Sequence, residues 1–389
     1  MEGSSNTMGK KIYTVFLVAT VACLVGIIAM IAMGRLAEAG PLFVGLFAFF
    51  AMYSRGNDAL KGFAFTIWIF AAVSVSMFYP YLFQQWGSYK LTRLIEPLMM
   101  IIMFGMGTAM SVRDFTQVLL MPKGVLVGMT LQFTVMPLVG FTLAKTFGFP
   151  PEIAAGVILI GCVPSGLASN VMNYIAGSNL ALSVTITACA TLAAPIMTPL
   201  WMKFLAGQFV PIDFLLMMWG VFKITIIPVS AGLIFNKFMH GKVNWLDRSL
   251  PILSMGGIVF IIVVITSAGR DNLLAVGLML LGAEMIHNTM GYLGGYWGSR
   301  LCGLDEKSCR TVAIEVGLQN GGMASALAIN VLKSPAAALA PAIFGPWMNI
   351  SGSILANWWH AHPAKDRVIP SAEAEKEAMV EEKIIPKDT

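Results

Sequence analysis

The chain has 389 residues, 57% hydrophobic and 12% charged, with a mean hydropathy of +0.77 and a formal charge of +5. Soluble domains carry about 25% charged residues, so the composition excludes a soluble globular protein and points to a polytopic membrane protein. No basic stripe with interleaved aromatics lies behind the positive balance, which argues against a nucleic-acid partner. The five scattered cysteines form no CxxC and give neither a disulfide frame nor a zinc site.

Residues 1–9 are small and polar, and Lys10 and Lys11 precede an apolar run over 12–33. That run exceeds the ~7–15 residues of a signal-peptide core and no clear A-x-A cleavage site comes before Gly34, so a retained transmembrane helix is expected. The next apolar run, 40–53, is short enough to be re-entrant; if it spans, the N-terminus is cytoplasmic. Ten further segments follow, at about 63–83, 94–110, 124–147, 152–174, 180–205, 213–237, 249–269, 272–299, 308–331 and 337–360. With the N-terminus inside, the inner loops collect Lys10, Lys11, Arg55, Lys61, Arg113, Lys123, Lys242 and others, roughly twice the Lys and Arg of the outer side. This bias favours 40–53 as a true span and both termini on the cytoplasmic face of a cell inner membrane. From Pro363 the chain turns polar and rich in Glu, Lys and Ala, the composition of an unstructured tail. The expected organisation is an N-terminal transmembrane extension (1–62), a ten-helix unit (63–362) and a cytoplasmic tail (363–389).

Two segments carry groups that lipid cannot satisfy. AIEVGLQNGGMAS (313–325) holds the carboxylate of Glu315, the amides of Gln319 and Asn320, and Gly317, Gly321 and Gly322; GCVPSGLASNVMN (161–173) has the same character. Such stretches are tolerable only where they face a polar cavity inside a bundle. Glycines let a helix unwind there and free carbonyls and N–H groups to hold an ion or a small polar substrate. Gly166 and Gly317 fall at matching offsets from Phe63 and Asp213, so the fourth helix of two successive five-span sets is interrupted at the same place. Five is odd, so the second set enters the membrane from the opposite side. The expected fold is an all-α polytopic membrane protein. It is an inverted repeat of five plus five transmembrane helices with two discontinuous crossed helices, preceded by an N-terminal helical hairpin.

The breaks offer oxygen. Pro164, Ser165, Gly166, Ser169 and Asn170 surround the first, and Ser183 and Thr187 lie on one face of the following helix. Gln132 sits inside the third helix of the first set. With Glu315, Gln319 and freed carbonyls near Val316 and Leu318, the set suits a hard monovalent cation, and a single carboxylate among neutral ligands suits Na⁺ better than a calcium cage. The alternative is that these polar side chains only glue helices together, or that Glu315 forms a structural ion pair with Lys223.

GCVPSGLASNVMNYIAGSNLALSVTITACATLAAPIMTPL (161–200), IEVGLQNGGMASALA (314–328), NISGSILANWW (349–359), IIMFGMG (101–107), QFTVMPL (132–138) and HNTMGY (287–292) closely resemble the bile acid:sodium symporter family, from about Phe63 to His360. The resemblance implies Na⁺-driven uptake of an organic anion and a ten-helix fold. That fold has a mobile panel (63–110 and 213–269) and a core (124–205 and 272–360) holding the crossed helices. It implies one sodium site of Ser169, Asn170, Ser183, Thr187 and Glu315, and a second of Gln132, Glu315, Gln319 and the carbonyls of Val316 and Leu318. Asn320 would lie at the crossing and Asn349 near the substrate cavity.

Departures from the family pattern cluster where substrate is expected. Met348 stands where histidine often precedes the asparagine of the last span, and Leu167 stands where threonine often precedes Ala168-Ser169-Asn170. Both remove a hydrogen-bonding group, so a different or less polar anion is expected. Glu284 adds a carboxylate one turn before His287 in the eighth span. The pair is a candidate for proton sensitivity; the alternative is a structural pair of Glu284 with His287 or Lys223. An intramembrane enzyme is disfavoured because the chain has no HExxH and no GxSxG and its four histidines are dispersed. The remaining alternatives are an arsenite-type efflux carrier, with Cys162 as thiol ligand, and a non-transporting anion sensor.

Overall fold

The computed structural model describes residues 2–57, 60–111, 114, 117–239 and 244–364. The expected loop positions of Arg113 and Lys242, and the tail from residue 365 on, lie outside the described residues. The described chain is helical almost throughout. In order, the helices are α1 (Glu2–Ala32), α2 (Gly40–Arg55), α3 (Ala64–Phe78), α4 (Ile95–Thr108) and α5 (Pro122–Phe147). Then come α6 (Pro151–Cys162), α7 (Leu167–Ile175), α8 (Leu180–Leu205), α9 (Phe214–Met239), α10 (Asn244–Ala268) and α11 (Arg270–Leu301). The last three are α12 (Glu306–Gly317), α13 (Gly321–Asn330) and α14 (Leu339–Ala361). Among the described residues, 7 helical stretches are long and apolar enough to cross a membrane, and shorter apolar helices complete the set.

Capping marks several of the starts. Asn179, Asp213, Asp305 and Asn320 each accept a hydrogen bond from a backbone N–H in the first turn of α8, α9, α12 and α13, at 2.9–3.1 Å. Within α9, Pro228 lacks the N–H that would bind the carbonyl of Ile224, and the chain widens into a π-helical turn over Phe222–Ile226. The first expected span, 63–83, is shorter than its hydropathy suggests. Its helix stops at Phe78, before Pro80; a single helical turn, Tyr81–Gln84, follows, and the chain then folds into a two-stranded hairpin, β1 (Gln85–Trp86) with β2 (Tyr89–Lys90), turned at Gly87 with φ 58°.

The packing places α1 at the edge, in contact with α2, which in turn lies against α3. Val15, Val18, Val25 and Ile28 of α1 are more than half exposed, an apolar surface that lipid accommodates and water does not. One group of contacts joins α3, α4, α9 and α10; a second joins α5, α6, α7, α8, α11, α12, α13 and α14. In the first group, Gly107 of α4 and Gly232 of α9 face each other. A Cβ at either would come within 2.2 Å of a backbone oxygen of the other helix, so only two glycines permit the approach. The buried core lies mostly in the second group, around Met136, Ile158, Leu159, Ile186, Val316, Leu318 and Phe344.

Candidate functional site

Both expected interruptions exist. The first separates α6 from α7 over 163–166 and the second separates α12 from α13 over 318–320. The two extended pieces cross and pair: Ser165 and Gln319 form an isolated antiparallel bridge, and the Asn320 N–H donates to the Pro164 carbonyl at 2.9 Å. Four helix ends therefore converge. The N-termini of α7 and α13 bring partial positive charge and the C-termini of α6 and α12 bring carbonyls.

Glu315, in the last turn of α12, is fully buried. Its Oε2 accepts hydrogen bonds from Ser165 (2.5 Å) and Thr187 (2.9 Å), and its Oε1 accepts from Ser183 (2.5 Å) and from the Asn173 amide (3.5 Å). Asn170 Oδ1 lies 2.8 Å from the Ser183 hydroxyl and 3.3 Å from that of Thr187; Ser169 Oγ lies 3.4 Å from Thr187 Oγ1. Ser183 has one hydroxyl proton but faces two acceptors, and so does Thr187. The cluster thus has more oxygen lone pairs than protons to fill them. Asn173 Oδ1 is buried with no partner. Surplus lone pairs and an orphaned oxygen around one carboxylate are what a bound monovalent cation would satisfy.

A second cluster lies on the other side of the crossing. Gln132 of α5 donates to the Val163 carbonyl (3.1 Å) and to Gln319 Oε1 (2.8 Å), and Gln319 donates to the Val316 carbonyl (2.6 Å). Gln132 Oε1 is buried without a partner. Leu318 sits extended at the break, with its N–H on the Ile314 carbonyl. Asn288 of α11 donates to the Gly317 carbonyl at 2.8 Å and accepts from Ser351 of α14 at 2.6 Å, which ties the break to two further helices.

The structure thus brings Ser169, Asn170, Ser183, Thr187 and Glu315 into one cluster, and Gln132, Gln319, Val316 and Leu318 into another. The hydrogen bonds of Glu315 run to the first. Ser165 and Asn173 also belong there. Ser165 was visible as a polar residue at the break, and Asn173 follows Ser169 by one turn on the same face of α7, which was the available signal. The Lys223 alternatives fail: Lys223 pairs with Glu96 of α4 at 2.5 Å, not with Glu315 or Glu284. Glu284 instead pairs with His287. Leu167 and Ala168 open α7, half-buried; Met348 is buried and Asn349 is half-buried with its amide on the Gly345 carbonyl of its own helix, at 2.9 Å. Since α7 packs on α14, these residues lie on neighbouring helices. Asn320 sits at the crossing, where its side chain caps α13. Cys162 is sealed in the core at the end of α6.

Known proteins of this kind are transporters. The Sodium Bile acid symporter family matches residues 96–276. The chain is 40% identical to the uncharacterized sodium-dependent transporter YocS of Bacillus subtilis over 305 residues, 78% of this chain and 93% of that one. It is 34% identical to the probable sodium/metabolite cotransporter BASS1 of Arabidopsis thaliana, over 78% of this chain and 74% of that one. It is 30% identical to the human ileal sodium/bile acid cotransporter, over 62% of this chain and 70% of that one.

Proposed function

The chain belongs to the sodium bile acid symporter family, a family of sodium-dependent membrane transporters, and from that membership we propose that it imports an organic anion together with sodium by alternating access. The observation that carries this reading is the crossing itself, where Ser165 pairs with Gln319 and Glu315 lies among hydroxyl and amide oxygens from α7 and α8.

One Na⁺ is held by Glu315, Ser169, Asn170, Ser183 and Thr187, and a second by Gln132, Gln319 and the carbonyls of Val316 and Leu318. Each ion supplies positive charge to lone pairs that otherwise crowd without protons, and so draws α6, α7, α12 and α13 together. The loaded crossing then presents the N-termini of α7 and α13 to a carboxylate, a favourable site for an anion. Leu167, Ala168 and Asn320, at the starts of α7 and α13, and Met348 and Asn349, on the neighbouring α14, contact the substrate in this reading. The contact groups of the fold support a panel (α3, α4, α9, α10) that rocks against a core (α5–α8 and α11–α14). The two five-span sets are related as an inverted repeat, and both termini face the cytoplasm of a cell inner membrane. Residues 1–62 form an attached hairpin. The substrate class is an organic anion, bile acid-like or a small carboxylate: bile acids and metabolites are named for relatives, and Met348 and Leu167 put side chains without a hydrogen-bonding group where the substrate is expected.

The test is flux. In proteoliposomes, an inward Na⁺ gradient should drive accumulation of a carboxylate such as taurocholate or pantoate, and replacing Na⁺ by K⁺ should abolish it. Binding of an anion without flux would make the protein a sensor, and Na⁺-independent arsenite export would make it an efflux carrier.

A further inference from the structure

Helix α11 carries a carboxyl and an imidazole that the sodium chemistry does not use. Glu284 and His287 are both 0% exposed, and Glu284 Oε2 lies 3.3 Å from His287 Nδ1. His287 Nε2 lies 3.0 Å from the Met136 carbonyl of α5. The ring occupies a notch that two glycines leave open: a Cβ on Gly140 of α5 would come 3.0 Å from Cε1, and one on Gly161 of α6 would come 3.1 Å from Nε2. Phe344 of α14 closes the notch edge-on, at 5.8 Å between centroids.

A carbonyl can only accept, so the Met136 contact fixes a proton on Nε2. Nδ1 then faces the carboxyl, and the pair is satisfied only if one further proton lies between Oε2 and Nδ1. With that proton the pair is neutral overall, whichever partner formally carries it. Without it, a lone pair faces a carboxylate in a sealed apolar site where Glu284 Oε1 has no partner at all. Among the described residues, no second cation forms an ion pair with Glu284. The described residues of α10 bring no charged side chain to this side, α5 and α6 bring glycines and a carbonyl, and α14 brings a phenyl ring. The other titratable groups nearby are the Cys162 thiol next to Gly161, Tyr292 further along α11, and Glu315 on α12, which is bound to Ser165, Ser183 and Thr187.

We propose that Glu284 and His287 form a proton-binding site that opposes sodium at the Gln132–Gln319 cluster, so that this carrier's sodium affinity rises as the proton leaves. The link is short. Met136 stands one turn after Gln132 on α5, and Gly161 stands just before Val163, whose carbonyl holds the Gln132 amide. Adjacent to His287, Asn288 grips the Gly317 carbonyl at the other break. A negative charge released at the dyad therefore sits against the same helix ends that hold the cation, and strengthens its binding. This rests on the reading of the Gln132–Gln319 cluster as a sodium site, and the experiment separates the two.

Purified full-length protein is titrated with Na⁺ from about pH 5.5 to about pH 9, following ²²Na⁺ binding. The wild type should gain roughly tenfold in affinity across the range, the scale of one added charge acting through a partly polarisable interior. Glu284→Gln keeps the shape and mimics the protonated acid, so it should bind Na⁺ at every pH with the affinity the wild type shows at low pH. His287→Gln, and the apolar pair Glu284→Leu with His287→Phe, serve as second variants if the first folds poorly, and both should also be flat. Cys162→Ala should keep the slope. A flat wild-type profile, or the full slope surviving in Glu284→Gln, overturns the proposal. If no Na⁺ binds to the wild type, the sodium reading fails. Potentiometric titration still decides the dyad, because Glu284→Gln should take up one proton fewer than the wild type, and equal uptake rejects it.

Discussion

Replacing Glu315 by glutamine removes one charge and leaves the shape almost intact. In the native site the carboxylate is fully buried and accepts from Ser165 and Ser183 at 2.5 Å and from Thr187 at 2.9 Å. A unit charge pair about 4 Å apart at an effective dielectric of about 20 is worth ~4 kcal/mol. Losing that attraction corresponds to roughly a thousandfold weaker Na⁺ affinity, since each 1.36 kcal/mol or so is a factor of ten. The hydroxyls around the new amide can rotate to accept from its NH₂ group, so folding should survive, which monodisperse elution of the purified variant would check. The assay is ²²Na⁺ binding to purified protein, paired with Na⁺-driven uptake in proteoliposomes. A variant that binds Na⁺ within about threefold of the wild type would remove Glu315 from the cation site and refute the reasoning, whatever happens to uptake.

The other expectations are narrower. Gln132→Leu removes both the buried orphan oxygen and the amide that holds Val163 and Gln319, so the dependence of uptake on Na⁺ concentration should fall from sigmoidal to hyperbolic while the Glu315 site still binds. Asn288→Ala leaves the buried Gly317 carbonyl without its side-chain donor, while Ser351 keeps the Met348 carbonyl and Tyr292, and should cost about 1–3 kcal/mol in a denaturant titration. Lys223→Met should leave Na⁺ affinity within about twofold of the wild type, because Lys223 pairs with Glu96 rather than with Glu315; a large loss would restore the Lys223–Glu315 pairing.

Much of the fold was legible because the signals are local. A run such as 180–205 declares itself by hydropathy, and its observed helix has the same limits. Pro164 and Gly166 in one segment, and Gly317 and Gly321 in another, announce where apolar helices lose their winding, and the structure breaks within a residue or two of each. Glu315 was identifiable because a lone carboxylate in an apolar stretch demands partners. Elsewhere local reasoning stopped short. Hydropathy carried the first span of the ten-helix unit to residue 83, past the point where Pro80 and the following hairpin turn the chain out of the helix.

By itself the sequence determined that this chain lives in lipid, that two of its helices are interrupted, and which polar side chains lie at the interruptions. Those properties follow from hydrogen-bond supply and backbone stiffness along a few consecutive residues. Only the tertiary structure decided which groups meet: Asn173 with Ser183, Glu96 with Lys223, His287 with the Met136 carbonyl. In the last two cases the partners stand more than a hundred residues apart in the chain, and for Asn173 the contact depends on how α7 is rotated about its axis. Rotation and long-range pairing are set by close packing between helices, which no window of sequence contains.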